Sequence, residues 1–480
     1  MLLTLVFAYL LVTIAIGLIA ARRVRNTADF AVAGRKLPLA MIVTTTFATW
    51  FGSETVLGIP AKFVQGGLGS VVEDPFGAGT CLILVGVFFA ARLYRLNLLT
   101  ISDYYRQRFG REVEVVCSLI IMLSYLGWVS AQVTALGLVF NVLSGGVISV
   151  PVGMVIGVVS ILAYTLFGGM WSVAVTDFIQ MIILVGGLAV LAFFSSRLAG
   201  GAGKVIEYAT QRDLFHFLPE PKAHDVLFFF AASITMMLGS IPQQDVFQRV
   251  MSAKDTYAAT RGPVIGGVFY ILFAFVPMFL VASALVIMPG EAAALLKDDP
   301  QKILPTLVLQ RMPFVMQVLF FGALLSAIKS TASATLLAPS VTFTENIWRQ
   351  FRPGMTDRQH LRTMRITVLV FSACVLAYAI RMQGTSIYEM VSGAYQVTLV
   401  GAFVPLVCGL YWRRASTQGA VASIAAGVLA WLLFLLTPAG DVFPAQLAGL
   451  VAGSVGMVLG SLLPQRLRNA HLLAPQLVGS

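Results

Sequence analysis

Hydrophobic positions along this chain fall in long runs separated by short polar segments. The runs are about 20 residues long, the length at which an α-helix crosses the hydrocarbon core of a bilayer. Backbone groups that face lipid must be hydrogen-bonded within their own segment, so such runs predict helices. The pattern therefore predicts an all-α membrane protein of roughly thirteen transmembrane helices. The predicted spans are 2–21, 39–63, 72–91, 114–143, 148–168, 172–197, 226–248, 263–288, 314–345, 363–381, 386–411, 417–437 and 443–463.

Two of these spans are interrupted by residues that break helices. The second contains the run 47–58, FATWFGSETVLG, and then Pro60, and the seventh contains 238–245, LGSIPQQD. Glycine and proline free backbone carbonyls and amides there, which a membrane helix tolerates where the segment lines a cavity or binds a ligand. A simple kink at each position is the alternative.

The positions of the two breaks predict an internal symmetry. They lie five spans apart and their helices run in opposite directions, as expected for two inverted five-helix repeats that each open with a broken helix. The predicted single transporter domain, 1–480, consists of an extra N-terminal helix at 2–21, a first repeat at 39–197, a second repeat at 226–411 and two C-terminal helices at 417–463. The longest connections, 198–225 and 289–313, are predicted to be surface loops.

The distribution of basic residues predicts the orientation of the chain. No charge precedes the first span and three arginines follow it, the reverse of a secretory signal, so we expect a retained helix with its N-terminus outside. The predicted cytoplasmic connections then carry the clustered basic residues, as the positive-inside rule requires. These are Arg22, Arg23, Arg25, Arg35, Lys36, Arg92, Arg95, Arg106, Arg108, Arg111, Arg349, Arg352, Arg358, Arg362, Arg365, Arg413, Arg414, Arg466 and Arg468. The pattern predicts a multi-pass protein of the plasma (inner) membrane with a cytoplasmic C-terminus.

Composition agrees with this class and excludes others. With 58% hydrophobic and 11% charged residues, the chain has too few charges to cover a soluble protein of 480 residues. A net charge of +11 would suggest nucleic-acid binding in a soluble protein. Here the basic residues orient the chain, so we predict no nucleic-acid partner. The predicted partners are the lipid bilayer and a small-molecule solute, and the sequence sets no oligomeric state.

Residues that ligate metals or perform catalysis form no recognisable motif. The four cysteines all lie within apolar spans, and no Cys/His pair has the spacing of a zinc site. The four histidines lie in connections or in the tail, and no phosphate-binding glycine loop is present. No nucleophile and base can be paired, so we predict no enzyme and no organic cofactor.

Five stretches carry a recognisable pattern, namely 30–38 (FAVAGRKLP), 48–52 (ATWFG), 164–180 (YTLFGGMWSVAVTDFIQ), 240–249 (SIPQQDVFQR) and the helix 322–348. In this order they resemble the sodium:solute symporter family, most closely the branch that contains the choline transporters. The run GG-x-x-x-V-x-x-TD-x-x-Q is the most specific. The resemblance implies an inverted-repeat fold of the leucine-transporter type on helices two to eleven, and alternating access that is commonly driven by sodium.

The resemblance also implies a sodium site. A hard cation prefers oxygen ligands, which an unwound helix and two hydroxyls supply. Asp177 matches an acidic residue on the route of the cation in relatives. Taken without the resemblance, the hydroxyls are more readily explained as helix-packing contacts. The implied ligands are the backbone carbonyls of Ala48, Phe51 and Ala327 and the hydroxyls of Ser330 and Thr331.

Lys329 departs from the family pattern. The ninth span reads SAIKSTAS over 326–333, where close relatives often have an apolar residue at Lys329 and an acid at Ser333. A lysine in mid-helix is costly in a bilayer and needs a partner or a wet cavity. It is interpreted as a structural ion pair with a carboxylate such as Asp177, as an ammonium that replaces the coupled cation, or as a group that points at the solute.

A solute pocket is expected at the breaks. Glu54 lies in the unwound part of the second span, whereas Glu73 and Asp74 lie near the outer interface, where a solvated vestibule is at least equally favoured. Trp50 and Trp128 match cage positions of choline transporters, and an aromatic cage attracts a quaternary ammonium. Packing is the alternative for both tryptophans.

Two further cage positions are not aromatic here, being Ala78 and Gln243. A carboxylate, two indoles and two amides suit a small amine, quaternary ammonium or amino acid better than a sugar. The predicted solute-binding residues are Trp50, Glu54, Thr55, Trp128, Gln243 and Gln244, and the predicted coupling residues are Lys329, Asp177 and Ser333.

These features predict a secondary active transporter that imports a small organic solute by alternating access with cation coupling. A proton-coupled or ion-independent carrier, with Lys329 in place of sodium, is one alternative. A solute-sensing membrane module is another. A channel is disfavoured because the sequence has neither a repeated pore-lining segment nor a charged ring.

Overall fold

The computed structural model describes residues 1–467, which are almost entirely helical and contain one isolated bridge between Leu37 and Ala253. The α-helices are Leu2–Ala21, Thr27–Val32, Leu39–Trp50, Ile59–Gly66, Ala78–Leu84, Ala90–Arg95, Ile101–Phe109, Arg111–Leu143, Val150–Leu198, Ala202–Gln211, Ala223–Gly239, Gln244–Ser252, Thr256–Phe273, Phe275–Ile287, Pro289–Asp298, Ile303–Arg311, Phe314–Thr342, Arg349–Phe351, Asp357–Arg381, Ile387–Thr398, Val404–Tyr411, Thr417–Leu435 and Ala445–Leu462. Wider π-helical turns occur at Glu54–Gly58, Val72–Gly77, Val85–Phe89, Phe343–Trp348 and Leu399–Phe403.

Ten helices within the described residues are long and apolar enough to cross a membrane, or eleven if the bent pair Ala223–Gly239 and Gln244–Ser252 forms one span. The predicted number was higher for two reasons. The apolar helix Leu39–Trp50 is too short to span a bilayer by itself because it ends at the first break. The helix Val150–Leu198 runs through two predicted spans without a loop.

The predicted connection between the fifth and sixth spans is replaced by a kink at Gly169. A straight helix of the 49 residues of Val150–Leu198 would be roughly 74 Å long, more than twice the thickness of a bilayer core. Gly169 has φ 46° and ψ −139°, which interrupts the helix. Only glycine adopts such a conformation readily, and a Cβ at this position would also meet Phe30.

The connections predicted as surface loops are partly helical. Residues 198–225 contain the helix Ala202–Gln211, which buries Val205 and Ala209 one turn apart. Residues 289–313 contain Pro289–Asp298 and Ile303–Arg311. Apolar residues at helical spacing within these polar stretches explain the difference.

A polar network joins three helix ends on the predicted cytoplasmic side. The carboxamide of Asn346 donates to Asp103 (2.9 Å) and Glu114 (2.8 Å) and accepts from Thr100 (2.8 Å). Thr100 also caps the helix Ile101–Phe109 in a capping box with Asp103. The network fixes the end of the helix that begins at Phe314 against its neighbours.

Two helices form the centre of the protein and hold the breaks between them. Phe314–Thr342 is buried continuously from Ala323 to Thr342, and Arg111–Leu143 is buried on the face that meets the breaks. The first helix, Leu2–Ala21, lies at the periphery with Leu11 67% exposed. Apolar side chains on such a surface are typical of a face that meets lipid. The boundaries of the two repeats, 39–197 and 226–411, stay a prediction.

Candidate functional site

The second predicted span is broken where the sequence indicates. Leu39–Trp50 ends at Phe51, whose φ of −87° and ψ of 70° are not helical, and the chain resumes through the π-helical turn Glu54–Gly58. The side chain of Phe51 stacks on Phe47 (ring centroids 5.0 Å apart) and does not enter a polar site. The break therefore exposes backbone carbonyls at its inner end and places Glu54 at its outer end.

Four aromatic rings form a box beside this break. We call it the solute box, after the predicted role of its tryptophans, and define it as Trp50, Tyr125, Trp128 and Tyr395. Trp50 and Tyr395 stack with centroids 5.8 Å apart at 19°. Trp128 meets Trp50 at 5.8 Å, Tyr395 at 5.3 Å and Tyr125 at 6.0 Å. All four side chains are at most 2% exposed. The solute box is therefore closed to solvent in this conformation.

Glu54 lies at the edge of the solute box. Its carboxylate accepts hydrogen bonds from Trp128 Nε1 (3.1 Å) and Gln132 Nε2 (2.6 Å). Both donors are neutral, and no basic side chain of the described residues forms an ion pair with Glu54. With Glu54 only 2% exposed, its charge is satisfied by hydrogen bonds but not neutralised.

The second break, at residues 240–243, packs on the same helix as the first. Gln243 accepts from Ser124 (3.3 Å) and donates to it (2.8 Å), and also donates to Thr398 (3.4 Å). The Tyr125 hydroxyl donates to Asp245 Oδ1 (2.5 Å). The helix Arg111–Leu143 thus contacts both breaks with one face, through Ser124, Tyr125, Trp128 and Gln132.

Gln244 lies outside the solute box, so its contacts do not support its prediction as a solute-binding residue. Its carboxamide donates to the Leu99 carbonyl (3.5 Å) and accepts from the Ile101 amide (2.8 Å). Gln243 and Gln244 are neighbours, so their side chains leave the backbone in different directions. The amide of Gln244 holds the start of the helix Ile101–Phe109.

Oxygen atoms converge at the inner end of the first break in a group that we call the cation cluster. Ser330 and Thr331 hydroxyls both donate to the Ala48 carbonyl, at 3.1 and 3.3 Å. Asp177 accepts from Ser330 (2.5 Å) and from Thr45 (2.5 Å). Asp177, Ser330 and Thr331 are at most 1% exposed. The structure therefore brings together Ala48, Asp177, Ser330 and Thr331.

The remaining predicted cation residues lie around this cluster. Ala48, Ala327 and Ser330 line one narrow crevice with Gln180. Ser333 lies one turn further on and donates to the Ser330 carbonyl (3.0 Å). The donor set of the cluster is made of oxygen alone, as a hard cation such as sodium requires.

Gly52 lies between the solute box and the cation cluster. A Cβ at this position would lie 2.6 Å from Thr331 Oγ1, 2.7 Å from Glu54 Oε2 and 2.8 Å from Gln132 Oε1. Glycine is required here because the backbone at Gly52 lies close to polar side chains of both groups. One residue of the break therefore lies against polar side chains of both groups.

Lys329 does not enter either group, which corrects the interpretation of an ion pair with Asp177. Its ammonium donates to the Thr13 hydroxyl (2.7 Å) and lies 5.3 Å from the centroid of the Tyr164 ring. No carboxylate of the described residues forms an ion pair with it. The side chain points towards the peripheral helix Leu2–Ala21. Its neighbour Ser330 faces the cation cluster instead, since consecutive residues on a helix point about 100° apart.

Glu73 and Asp74, for which the sequence left a solvated vestibule and ligand contact open, are both largely buried, but Glu73 lines a cavity. Asp74 is 1% exposed and accepts from Tyr270 (2.6 Å), whose hydroxyl contacts Thr55 (2.9 Å). Both oxygens of Glu73 accept from Ser392 (2.8 Å each). Glu73 and Ser392 line a cavity of about 710 Å³, and Lys62 and Tyr388 line another of about 480 Å³. The Thr55 hydroxyl therefore lies between the Tyr270 hydroxyl and the Trp50 carbonyl, to which it donates (3.2 Å).

Several residues of the site were missed by sequence reasoning. Gln132 and Tyr125 lie four residues after and three before Trp128, so helical spacing was a usable signal. Asp245 lies in a quoted motif but received no role. Tyr395 comes from a distant helix, and nothing near it in the sequence links it to Trp50.

Comparisons with known proteins agree with this geometry. Residues 30–427 match the model of the sodium:solute symporter family. The high affinity choline transporter 1 of Homo sapiens is 27% identical over 458 residues, which cover 92% of this chain and 77% of that protein. The high-affinity proline transporter of Bacillus subtilis (strain 168) is 26% identical over 465 residues, or 94% and 95% of the two chains.

Solved structures show the same fold. A Na⁺-coupled sialic acid symporter superimposes with a TM-score of 0.84 at 19% identity, covering 97% of this chain and 99% of the other. Mhp1, a nucleobase-cation-symport-1 family transporter, gives 0.62 at 16% identity, with 94% and 99% covered.

Fold and matches define a class, namely a membrane-embedded secondary active importer of small solutes with a five-plus-five inverted-repeat core of the leucine-transporter type. The match covers far more than half of the residues. The chain belongs to the sodium:solute symporter family.

Proposed function

We propose that this protein imports a small organic cation that carries an amine, by alternating access and driven by the sodium gradient. The observation that carries the proposal is Glu54, a buried carboxylate without a basic partner at the edge of an aromatic box. An uncompensated charge in such a site costs several kcal/mol. A cationic solute removes this cost when it binds.

The aromatic walls of the solute box support the same class of solute. The ring centroids of Trp50, Trp128 and Tyr395 lie within 6 Å of one another, with Trp50 and Tyr395 stacked face to face. Ring faces attract an ammonium, and the attraction grows when water is excluded. Relatives named as choline and proline transporters carry small solutes that contain nitrogen.

The cation cluster supports sodium as the coupling ion. Ala48 through its carbonyl, Ser330 and Thr331 through their hydroxyls and Asp177 through its carboxylate would hold it. A bound sodium ion would supply the positive charge that Asp177 lacks. Lys329 does not support the alternative in which its ammonium replaces sodium, because it is turned towards Thr13.

The orientation and the subdivision of the chain belong to the same proposal. The basic clusters favour an N-terminus outside and a C-terminus in the cytoplasm of a plasma (inner) membrane protein. The two breaks favour inverted repeats at 39–197 and 226–411, with the helix at 2–21 outside them. We assign the chain no enzymatic step.

Uptake by purified protein in liposomes tests the proposal. The labelled probes are butylamine, choline, putrescine, proline and pyruvate, and sodium and pH gradients are imposed separately. We expect amine uptake that follows the sodium gradient and counterflow from preloaded vesicles, which a channel does not give. Uptake of pyruvate alone, or amine uptake driven by a pH gradient without sodium, would contradict the proposal.

A further inference from the structure

The second break carries a carboxylate, Asp245, that is not one of the residues of the solute box. Asp245 is completely buried. Its Oδ1 accepts from the Tyr125 hydroxyl (2.5 Å), while its Oδ2 has no hydrogen-bond partner among the described residues. A buried charged group with a free lone pair is costly unless a ligand satisfies it.

Arg249 interacts electrostatically with Asp245 but forms no ion pair with it among the described residues. The guanidinium of Arg249 lies one turn further along the helix and donates to the backbone carbonyl of Asp245 (2.9 Å) and to Thr49 (2.7 Å). None of the ion pairs among the described residues includes Asp245 or Arg249. The free oxygen of Asp245 therefore remains available.

Two stacked rings connect Asp245 to Glu54. The Tyr125 ring, whose hydroxyl holds Asp245, stacks on Trp128 at 6.0 Å and 18°. Trp128 in turn donates to Glu54 (3.1 Å). Each carboxylate is thus hydrogen-bonded to one member of the same stacked aromatic pair.

Tyr395 supplies a further unpaired group at the same place. Its ring packs against Trp50 and Trp128, and its hydroxyl has no partner among the described residues although the side chain is fully buried. Its ring packs on Trp128, which donates to Glu54 and stacks on Tyr125, the partner of Asp245. A ligand that satisfies both carboxylates would therefore pass this hydroxyl.

We infer that the solute has two cationic nitrogen groups, one bound by Glu54 and the other by Asp245, joined by an apolar chain that lies along Trp128 and Tyr395. The class of ligand is a short aliphatic diamine. The inference rests on the proposed function and narrows it, since one carboxylate would suffice for a monoamine. An N–H-bearing ammonium also satisfies Asp245 Oδ2 and the Tyr395 hydroxyl, which a quaternary ammonium cannot.

Putrescine and butylamine form the matched pair for the test, because they share a four-carbon chain and differ in one amino group. Binding to the purified protein in sodium is measured for each. Loss of a charged partner from a buried site typically costs 2–5 kcal/mol, so we expect putrescine to bind about 30-fold or more tightly than butylamine. Equal affinities for the two amines would overturn the inference but leave the proposed function intact. Binding of neither would overturn both.

The variant Asp245→Asn locates the second anchor. We expect it to lower putrescine affinity to the level of butylamine, and circular dichroism of the purified variant checks that it is folded. Asp225→Asn, at a half-exposed site near the start of the same broken helix, is the control and should change neither. An equal loss of both amines would overturn the inference.

Two further variants keep the test decisive. Asp74 also has a free oxygen, so Asp74→Asn is the comparison. If it removes the preference for putrescine and Asp245→Asn does not, the anchor is wrongly assigned. Tyr395→Phe removes only the unpaired hydroxyl, and we expect it to reduce the preference about threefold to tenfold. An equal effect on both amines would count against the inference even if Asp245→Asn failed to fold.

Discussion

The two broken helices occupy related places in the fold but differ in what they offer. At the first break, the Ala48 carbonyl belongs to the cation cluster and Glu54 belongs to the solute box, with Gly52 between them. At the second break, Gln243 is fully engaged with the scaffold and Asp245 presents one free oxygen. Under the proposed function, the first break would couple an ion to a solute, and the second would select the solute.

The helix Arg111–Leu143 makes this division possible. Its residues Ser124 and Tyr125 hold the second break, and Trp128 and Gln132 hold Glu54 of the first. These residues recur at three- and four-residue spacing, so they share one face of the helix. Both breaks therefore pack against the same helix, Arg111–Leu143.

Removing the charge of the first break should have the largest effect. Glu54→Gln keeps the shape of the side chain but removes the carboxylate that Trp128 and Gln132 hold at this edge of the solute box. We expect amine affinity to fall about 100-fold or more, since a buried charge pair is worth 2–5 kcal/mol. Binding of labelled butylamine and putrescine measures it. Glu207→Gln, on the exposed helix Ala202–Gln211, should bind both normally, and unchanged binding by Glu54→Gln would remove the basis of the solute assignment.

Neutralising the cation cluster should change the dependence of uptake on sodium without changing which solute is carried. Asp177→Asn removes the only carboxylate of the cluster, and we expect the sodium concentration for half-maximal uptake to rise about 30-fold, or about 2 kcal/mol. Uptake is titrated with sodium at constant ionic strength. Thr176→Val is the control, because that hydroxyl bonds only carbonyls of its own helix. A normal sodium requirement in Asp177→Asn would show that the cluster is structural.

Gly52→Ala is expected to impair both groups at once. The added Cβ would press on Thr331 on one side and on Glu54 and Gln132 on the other. We expect about a tenfold loss of affinity for sodium and for solute alike, an effect of the size of typical steric strain in a packed core. Gly186→Ala, where a Cβ meets nothing within 4 Å, is the matched control. A loss confined to one ligand would argue against coupling through the first break.

Lys329→Met should have the smallest effect. The ammonium contacts Thr13 and Tyr164 and lies outside both groups, so we expect uptake within about threefold of the unchanged protein and an unaltered sodium requirement. The same sodium titration measures it, with Thr13→Val as the companion variant. Sodium dependence that first appeared in Lys329→Met would instead support the ammonium as a substitute for the ion.

Local signals in the sequence were sufficient for the architecture. Apolar length predicted nearly all of the helices, and glycine and proline marked both breaks. Gly169 was misjudged as a loop because a kink and a short connection have the same composition. The connections with Val205 and Ile303 were misjudged because two or three apolar residues at helical spacing are a weak signal in a polar stretch.

The candidate site was predictable only where its residues lie in motifs. Ala48, Ser330, Thr331 and Asp177 came from a family resemblance, and the structure brings them together. The direction of Lys329 was not predictable, since a difference of one residue turns a side chain by about 100° on a helix. Tyr395 reaches Trp50 through tertiary packing over more than 300 positions, which no local pattern reports.

The most direct test of the account is whether sodium strengthens solute binding through the first break. Dissociation constants of putrescine and butylamine are measured for the purified protein in sodium chloride and in potassium chloride of equal concentration. Because coupling between two sites is reciprocal and typically amounts to 1–3 kcal/mol, we expect binding about tenfold tighter in sodium. We also expect this ratio to collapse towards one in Gly52→Ala. Equal affinities in the two salts for the unchanged protein would contradict the account.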